Sequence, residues 1–345
     1  EIVDMKQPAY KNNFSLISTP LSNAIKECLE KSEQLILLQN RRGYALIQRC
    51  HDCGAIKNCQ RCSVSMTYHR TDNNLHCHYC EAVENISPIC SKCKSSNAGY
   101  VGSGTQRVED VLTNHFPGIS ILRMDMDTVR KRGAHEKILR KFHNAEADVL
   151  LGTQMIAKGL DFENVTLVGI INADSGLFFP DFRAGERVFQ LIYQVAGRAG
   201  RREKPGKVII QTYNPDDIYI KTAASLNTQK FYNIALAQRQ ELNYPPFSRI
   251  ARIIFSGFDK DKVNSIAQRA YRKLHGNSNY KILGPSPAPV EKIQNNWRSH
   301  LIIKTKNKQH CSIHQFLYKN IGFSTFENIR QGVRIQVDID PVSMM

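Results

Sequence analysis

Eight cysteines fall into four C-x-x-C pairs, Cys50/Cys53, Cys59/Cys62, Cys77/Cys80 and Cys90/Cys93, separated by 5, 14 and 9 residues. A C-x-x-C turn aims two sulfurs at one point, and two such turns complete a tetrahedral Zn²⁺ site. Four turns therefore predict two closed Cys₄ sites; disulfides or a redox dithiol would not need four copies. With sulfur in every position there is no place for water or substrate, so both ions are expected to be structural. They replace the core that so short a stretch cannot build alone. Four pairs can be matched in three ways. Sequential pairing has to close one site across the 5 residues between Cys53 and Cys59. Nested pairing joins 59/62 to 77/80 across 14 residues, near the usual ribbon spacing, and leaves 50/53 with 90/93; it is preferred. His51, His76 and His78 lie among the ligands, but eight cysteines already fill two sites, so each reads as a neighbour or surface residue. Cys28 and Cys311 stand alone.

A second chemistry-bearing stretch is Gln190-Leu191-Ile192-Tyr193-Gln194-Val195-Ala196-Gly197-Arg198-Ala199-Gly200-Arg201. An apolar helix ends in small residues that bring Arg198 and Arg201 to an exposed tip, where guanidinium forks match phosphate oxygens. A lone Gly-Arg would read as a helix end with solvated arginines; the full Q-x-x-G-R-x-G-R string is far more specific. A third stretch, Gly152-Thr153-Gln154-Met155-Ile156-Ala157-Lys158-Gly159-Leu160-Asp161-Phe162, follows a short apolar run.

The elements that must hold these residues alternate. Leu21 to Lys31 predicts an amphipathic helix behind Ser18-Thr19-Pro20, good helix-start residues. Gln34 to Gln39, Asp148 to Leu151, Val165 to Ile171 and Lys207 to Gln211 read as strands, as does Ile119 to Arg123. Val108 to His115, Ala134 to His143 and Phe189 to Ala196 read as helices. Strands alternating with helices imply a parallel sheet covered on both faces, into which the cysteine block is inserted. The expected organisation is an α/β lobe over 1–49 and 99–214, a zinc-binding insertion over 50–98, and a small α+β domain over 215–345. In that last part Ile250 to Phe255, Ser299 to Lys304 and Val333 to Asp338 predict strands, and Val263 to Leu274 a helix.

Length and charge narrow the partners. The chain has 345 residues, 41% hydrophobic and 23% charged, which suits a folded multi-domain protein and excludes a disordered one. Its formal net charge is +16. Ten of those charges sit from residue 216 onward, where 19 Lys and Arg face 9 Asp and Glu. Counting the thiolates of two zinc sites lowers the total to about +12. A surplus of that size favours a polyanion, most simply nucleic acid. No run reaches the ~18 apolar residues of a membrane helix. Clustered cysteines without a signal peptide predict a reducing cytosol.

The arginine string and the stretch from Gly152 resemble motifs VI and V of superfamily 2 helicases, carried on the second RecA-like lobe. Asn40-Arg41-Arg42-Gly43-Tyr44 before the four cysteine pairs, Gly102-Ser103-Gly104-Thr105, Asp181-Phe182-Arg183-Ala184 and the tail from Gly284-Pro285 through Trp297-Arg298 to Val337-Asp338-Ile339-Asp340-Pro341 narrow the resemblance. Together they are similar to the PriA family of primosomal replication-restart helicases, over essentially the whole chain. The resemblance implies a second RecA-like helicase lobe with an inserted two-zinc Cys₄ module and a small α+β C-terminal domain. It implies an ATP-dependent 3′→5′ DNA helicase using Mg²⁺, in which Arg198 and Arg201 reach the ATP phosphates as arginine fingers beside Gln194. Thr153 and Gln154 would face the phosphates of the tracked strand, and Arg41 and Arg42 would contact DNA. Gly159 and Asp161 would couple nucleotide state to DNA grip. The resemblance also implies nested zinc pairing, with forked, single-stranded and duplex DNA, single-stranded-DNA-binding protein and other primosome proteins as partners. A monomer in the bacterial cytoplasm, associated with the nucleoid, is expected.

Two departures stand out. Zinc turns in this family often end in Gly; here Gly54 follows Cys53, but Ser63, Glu81 and Lys94 follow the other pairs. No G-x-x-x-x-G-K-[ST] phosphate loop occurs. The chain, which opens on Glu1, therefore reads as the C-terminal half of such a helicase, inactive as an ATPase without its first lobe. Two other readings compete. One is a stand-alone, non-enzymatic zinc-bearing DNA or protein adaptor, favoured by the absent phosphate loop and disfavoured by Arg198 and Arg201. The other is a zinc hydrolase, which closed sites disfavour. Trp297 and Tyr244 offer rings that stack on bases, with core packing the plainer role for each.

Overall fold

The computed structural model describes the chain apart from residues 8–15, 40–46, 51–56, 63, 65, 70–72, 78–79, 97, 102–104, 126–127, 130–132, 158–161, 178, 200–205, 306–311, 323–327, 331 and 345. In chain order its first elements are β1 (Ile2–Asp4), α1 (Thr19–Glu30), β2 (Gln34–Leu38), β3 (Ile47–Cys50), β4 (Thr67–His69), β5 (Asn74–His76), β6 (Val83–Asn85) and β7 (Ala98–Val101). Next come α2 (Thr105–His115), β8 (Ile121–Met124), α3 (Ala134–His143), β9 (Val149–Gly152), β10 (Val165–Ile170), α4 (Ala184–Ala196), β11 (Lys207–Thr212), α5 (Ile218–Ala224) and α6 (Thr228–Glu241). The last are β12 (Ile250–Gly257), α7 (Lys260–Leu274), β13 (Tyr280–Ile293), β14 (Asn296–Thr305), α8 (Ile313–Ile321), β15 (Asn328–Arg330) and β16 (Val333–Ile339).

Two compact units result. The first takes residues 1–46, 102–179 and 183–232. Its six strands run parallel in the order β1-β11-β10-β2-β9-β8. Every residue of β2, β9 and β10 is buried, which is why each reads as a mainly apolar run: both faces of the sheet are covered. Helix α1 is started by the Ser18 hydroxyl, which accepts from the Leu21 N–H at 3.4 Å, and by Pro20 in its first turn. It lays Leu21, Ala24, Ile25 and Cys28 onto the core with Leu35, Leu37, Val149 and Leu167. Helix α4 begins at Ala184, five residues before its apolar run, because buried Glu186 in its first turn suits the positive end of a helix.

The second unit takes residues 47–101, 180–182 and 233–345. Its main sheet is antiparallel, in the order β13-β14-β12-β16-β15. In β16, Val333, Ile335 and Val337 are buried while Arg334 and Gln336 are exposed, the alternation of a sheet with one covered face. Helices α7 and α8 cover it through Val263, Ala267, Ile313 and Leu317. The cysteine region adds a three-stranded sheet, β4-β5-β6, and the ribbon β3-β7. No helix of the described residues is long and apolar enough to cross a membrane.

Candidate functional site

In the cysteine region the sulfurs of Cys59, Cys62, Cys77 and Cys80 all lie within 4.8 Å of one another, as do those of Cys50, Cys90 and Cys93. Cys53 lies outside the described residues. The grouping is the nested one. The Cys59–Cys80 and Cys50–Cys93 sulfurs are each 3.6 Å apart, close to the roughly 3.8 Å that tetrahedral Zn–S bonds of about 2.3 Å impose. Both sulfur sets thus fit Zn²⁺.

Local backbone chemistry aims the thiols. In three of the loops the N–H of the first cysteine bonds the carbonyl five residues on: Cys59 to Val64 at 2.9 Å, Cys77 to Ala82 at 2.9 Å and Cys90 to Ser95 at 2.8 Å. The residue after the second cysteine takes a left-handed conformation in two of them, with φ of +57° at Glu81 and +61° at Lys94. The turn therefore survives without glycine, at a cost of roughly 1–2 kcal/mol per residue. Among the described residues, Met66 and Leu75 are the fully buried apolar side chains that join the inner cysteines, too small a core to stand without metal. His76 lies in β5, half-buried; His51 and His78 lie outside the described residues.

The inner cluster also receives a strand turn from the same unit. Between β13 and β14, Gln294 and Asn295 take φ of +48° and +64°, the left-handed pair of a tight hairpin turn. The Gln294 N–H donates to Cys62 Sγ at 3.2 Å, and the Asn295 N–H to the Arg61 carbonyl at 2.8 Å. Ile293 packs against the cluster. Sequence reasoning did not single out this turn; the Gln294-Asn295 pair between two strand-like runs was its signal.

In the first unit, β9 ends at Gly152, where a Cβ would stand 2.4 Å from the Met124 carbonyl oxygen, so only glycine fits. The Thr153 N–H then donates to that oxygen at 3.3 Å, and the chain turns through a 3₁₀ segment, Gln154–Ala157, anchored by buried Ile156. Thr153 and Gln154 are half-buried at the carboxyl edge of the parallel sheet, where open α/β sheets bind ligands. Helix α4 packs on this segment, burying Val188, Ile192 and Val195 and exposing Gln194. Past Ala196 the N–H groups of Gly197, Arg198 and Ala199 bond the carbonyls of Tyr193, Val195 and Ala196. Half-buried Arg198 thus stands at the negative end of α4. Arg41, Arg42, Gly159, Asp161 and Arg201 lie outside the described residues. Tyr244, in the second unit, stacks on Phe182 at 4.3 Å, with the Lys304 ammonium 3.3 Å from its ring centroid.

Three family models match the chain: the PriA DNA helicase Cys-rich region (CRR) domain over residues 59–84, the helicase conserved C-terminal domain over 81–203 and the primosomal protein N C-terminal domain over 240–342. The replication restart protein PriA of Bacillus subtilis is 42% identical over 346 residues, covering 100% of this chain and 43% of that protein. The replication restart protein PriA of Synechocystis is 38% identical over 353 residues, covering 100% of this chain and 41% of that protein. That of Haemophilus influenzae is 36% identical over 342 residues, covering 99% and 46%. The chain thus spans less than half the length of these relatives. A helicase C-terminal lobe on a parallel sheet, a cysteine-rich zinc module and an antiparallel C-terminal domain, matched end to end at this identity, place the chain in the PriA replication restart family.

Proposed function

We propose that this chain is the C-terminal half of an ATP-dependent 3′→5′ DNA helicase that restarts stalled replication. The observation that carries the reading is the packing of α4, which ends in Arg198, on the turn that bears Thr153 and Gln154. One rigid lobe then joins the phosphate-facing arginine to the strand-facing turn. The lobe would offer the arginine side of a nucleotide site, and the sequence carries no G-x-x-x-x-G-K-[ST] loop, so ATP and Mg²⁺ would be held chiefly by the other lobe of the motor. Hydrolysis of that nucleotide would drive strand separation. Arg198 and Arg201 would stabilise charge on the transferring phosphoryl group, with Gln194 beside them. Thr153 and Gln154 would grip strand phosphates, assisted by Arg41 and Arg42, and Gly159 and Asp161 would relay nucleotide state.

Cys59, Cys62, Cys77 and Cys80 would hold one Zn²⁺, and Cys50, Cys53, Cys90 and Cys93 the other. Both would be closed and structural. The partners would be forked, single-stranded and duplex DNA, single-stranded-DNA-binding protein and other primosome proteins, met by a monomer in the bacterial cytoplasm at the nucleoid. The test is DNA-stimulated ATP hydrolysis. The chain alone should show none, and addition of the N-terminal half of a PriA relative, joined or in trans, should produce it. Robust hydrolysis by the chain alone would refute the two-lobe reading.

A further inference from the structure

Trp297 is the only tryptophan in the sequence. It sits in the second unit at the start of β14, on the same side of the strand as Leu301 and Ile303, which build the core beneath α7 and α8. Trp297 itself does not belong to that core. It is half-buried in a cleft of about 480 Å³. One wall is α7, which contributes Lys260, Asn264 and Gln268, a stripe at i, i+4 and i+8. The other is β13, with Pro285 and Pro287 as stiff apolar faces.

Two lysines flank the indole, and Glu291 lines the cleft beside them. Lys260 Nζ lies 4.5 Å from the ring centroid and Lys292 Nζ 5.2 Å. Arg298 also lines the cleft. Lys260 is steadied by Glu291 at 2.8 Å, and Lys292 reaches the Gln60 carbonyl at 3.5 Å. An indole that served only as packing would be enclosed by apolar side chains. Here two ammonium groups stand over the ring, and amides line the same cleft.

We propose that this cleft is a stacking subsite for one unpaired base of single-stranded DNA, deepening the DNA-motor reading above, on which it rests. The indole face takes the base, since every base offers a π-face. Lys260, Lys292 and Arg298 take the phosphates on either side, and Asn264 and Gln268 present amides to the base edge. The concentration of positive charge from residue 216 onward, ten of the net sixteen, supplies the long-range attraction. The subsite follows the zinc region closely in space, because Lys292 belongs to the hairpin whose turn docks on Cys62.

Because Trp297 is alone, the intrinsic tryptophan emission of the chain reports this residue only. The chain is titrated with a 20-nucleotide oligothymidylate while binding is followed in parallel by anisotropy of an end-labelled copy. Quenching and anisotropy should share one midpoint. Trp297→Ala should weaken binding about 5- to 150-fold, and Trp297→Phe should retain most of it. Circular dichroism of both variants checks folding, and Lys260→Ala and Lys292→Ala should each lower the salt slope by about 0.7. Full-affinity binding with unchanged emission and no loss in Trp297→Ala would overturn the subsite and leave the motor reading standing. No binding by a folded chain would overturn the subsite too. Quenching without ATP hydrolysis by the reconstituted halves would instead retain the subsite and overturn the motor reading.

Discussion

The backbone N–H of Gln294 donates a hydrogen bond to the sulfur of Cys62 across 3.2 Å, joining residues 232 positions apart. The turn of the β13–β14 hairpin is thereby fastened to the inner cysteine cluster. A zinc-bound thiolate is a stronger acceptor than a thiol, and a hydrogen bond to a charged acceptor contributes about 1.5–3 kcal/mol.

Removing zinc should therefore loosen the hairpin turn before it disturbs the sheet. Amide exchange measured with and without a chelator should accelerate at least about tenfold at Gln294 and Asn295. Ile253 and Leu301, inside the sheet, should keep their protection. Equal exchange at the turn in both conditions would contradict the coupling.

Gly152→Ala should destabilise the first unit. The added methyl would stand 2.4 Å from the Met124 carbonyl oxygen and 2.7 Å from Ile156 Cγ2, so backbone must move. Overpacking of this kind costs about 1–3 kcal/mol, which urea denaturation would read as a lower midpoint with an unchanged slope. An unaltered midpoint would refute the close approach.

Lys304 gives a pH dependence with a definite sign. Its ammonium donates to the Leu242 carbonyl at 3.1 Å, yet burial, with the Lys281 charge second, pushes its pKa down to about 8 from an ordinary 10.5. Between those values the unfolded chain holds a proton that the folded chain has lost, so this group adds stability as pH rises from about 8 to 10.5 and withdraws it as pH falls back through 8. Lys304→Met should flatten that rise in denaturation midpoints, and a rise as steep in the variant as in the parent would contradict the assignment.

What the residues revealed in advance was local. The C-x-x-C turns were legible because each closes on itself, and the grouping of Cys59, Cys62, Cys77 and Cys80 follows their spacing. Strands β2, β9 and β10 were legible as short, mainly apolar runs. Helix α6 was not, because its buried residues are mainly Phe231 and Ala235 amid polar positions, with no continuous stripe. Strand β13 was hidden by Gly284-Pro285-Ser286-Pro287, which reads as a break; register shifts on either side of Ser286–Pro287 accommodate the prolines. The docking of Gln294 on Cys62 is a meeting of distant segments, which no local pattern encodes. The setting of Trp297 depends likewise on α7 and β13 arriving from elsewhere in the chain.

In the proposed motor, Arg198 would act on a nucleotide held chiefly by the other lobe. The direct measurement is the steady-state rate of DNA-stimulated ATP hydrolysis by the chain joined to the N-terminal half of a PriA relative, compared with the same assembly carrying Arg198→Ala. The account predicts a fall of about 10³-fold or more in turnover, with denaturation midpoint and DNA affinity essentially retained. Turnover within a few-fold of the parent would contradict it.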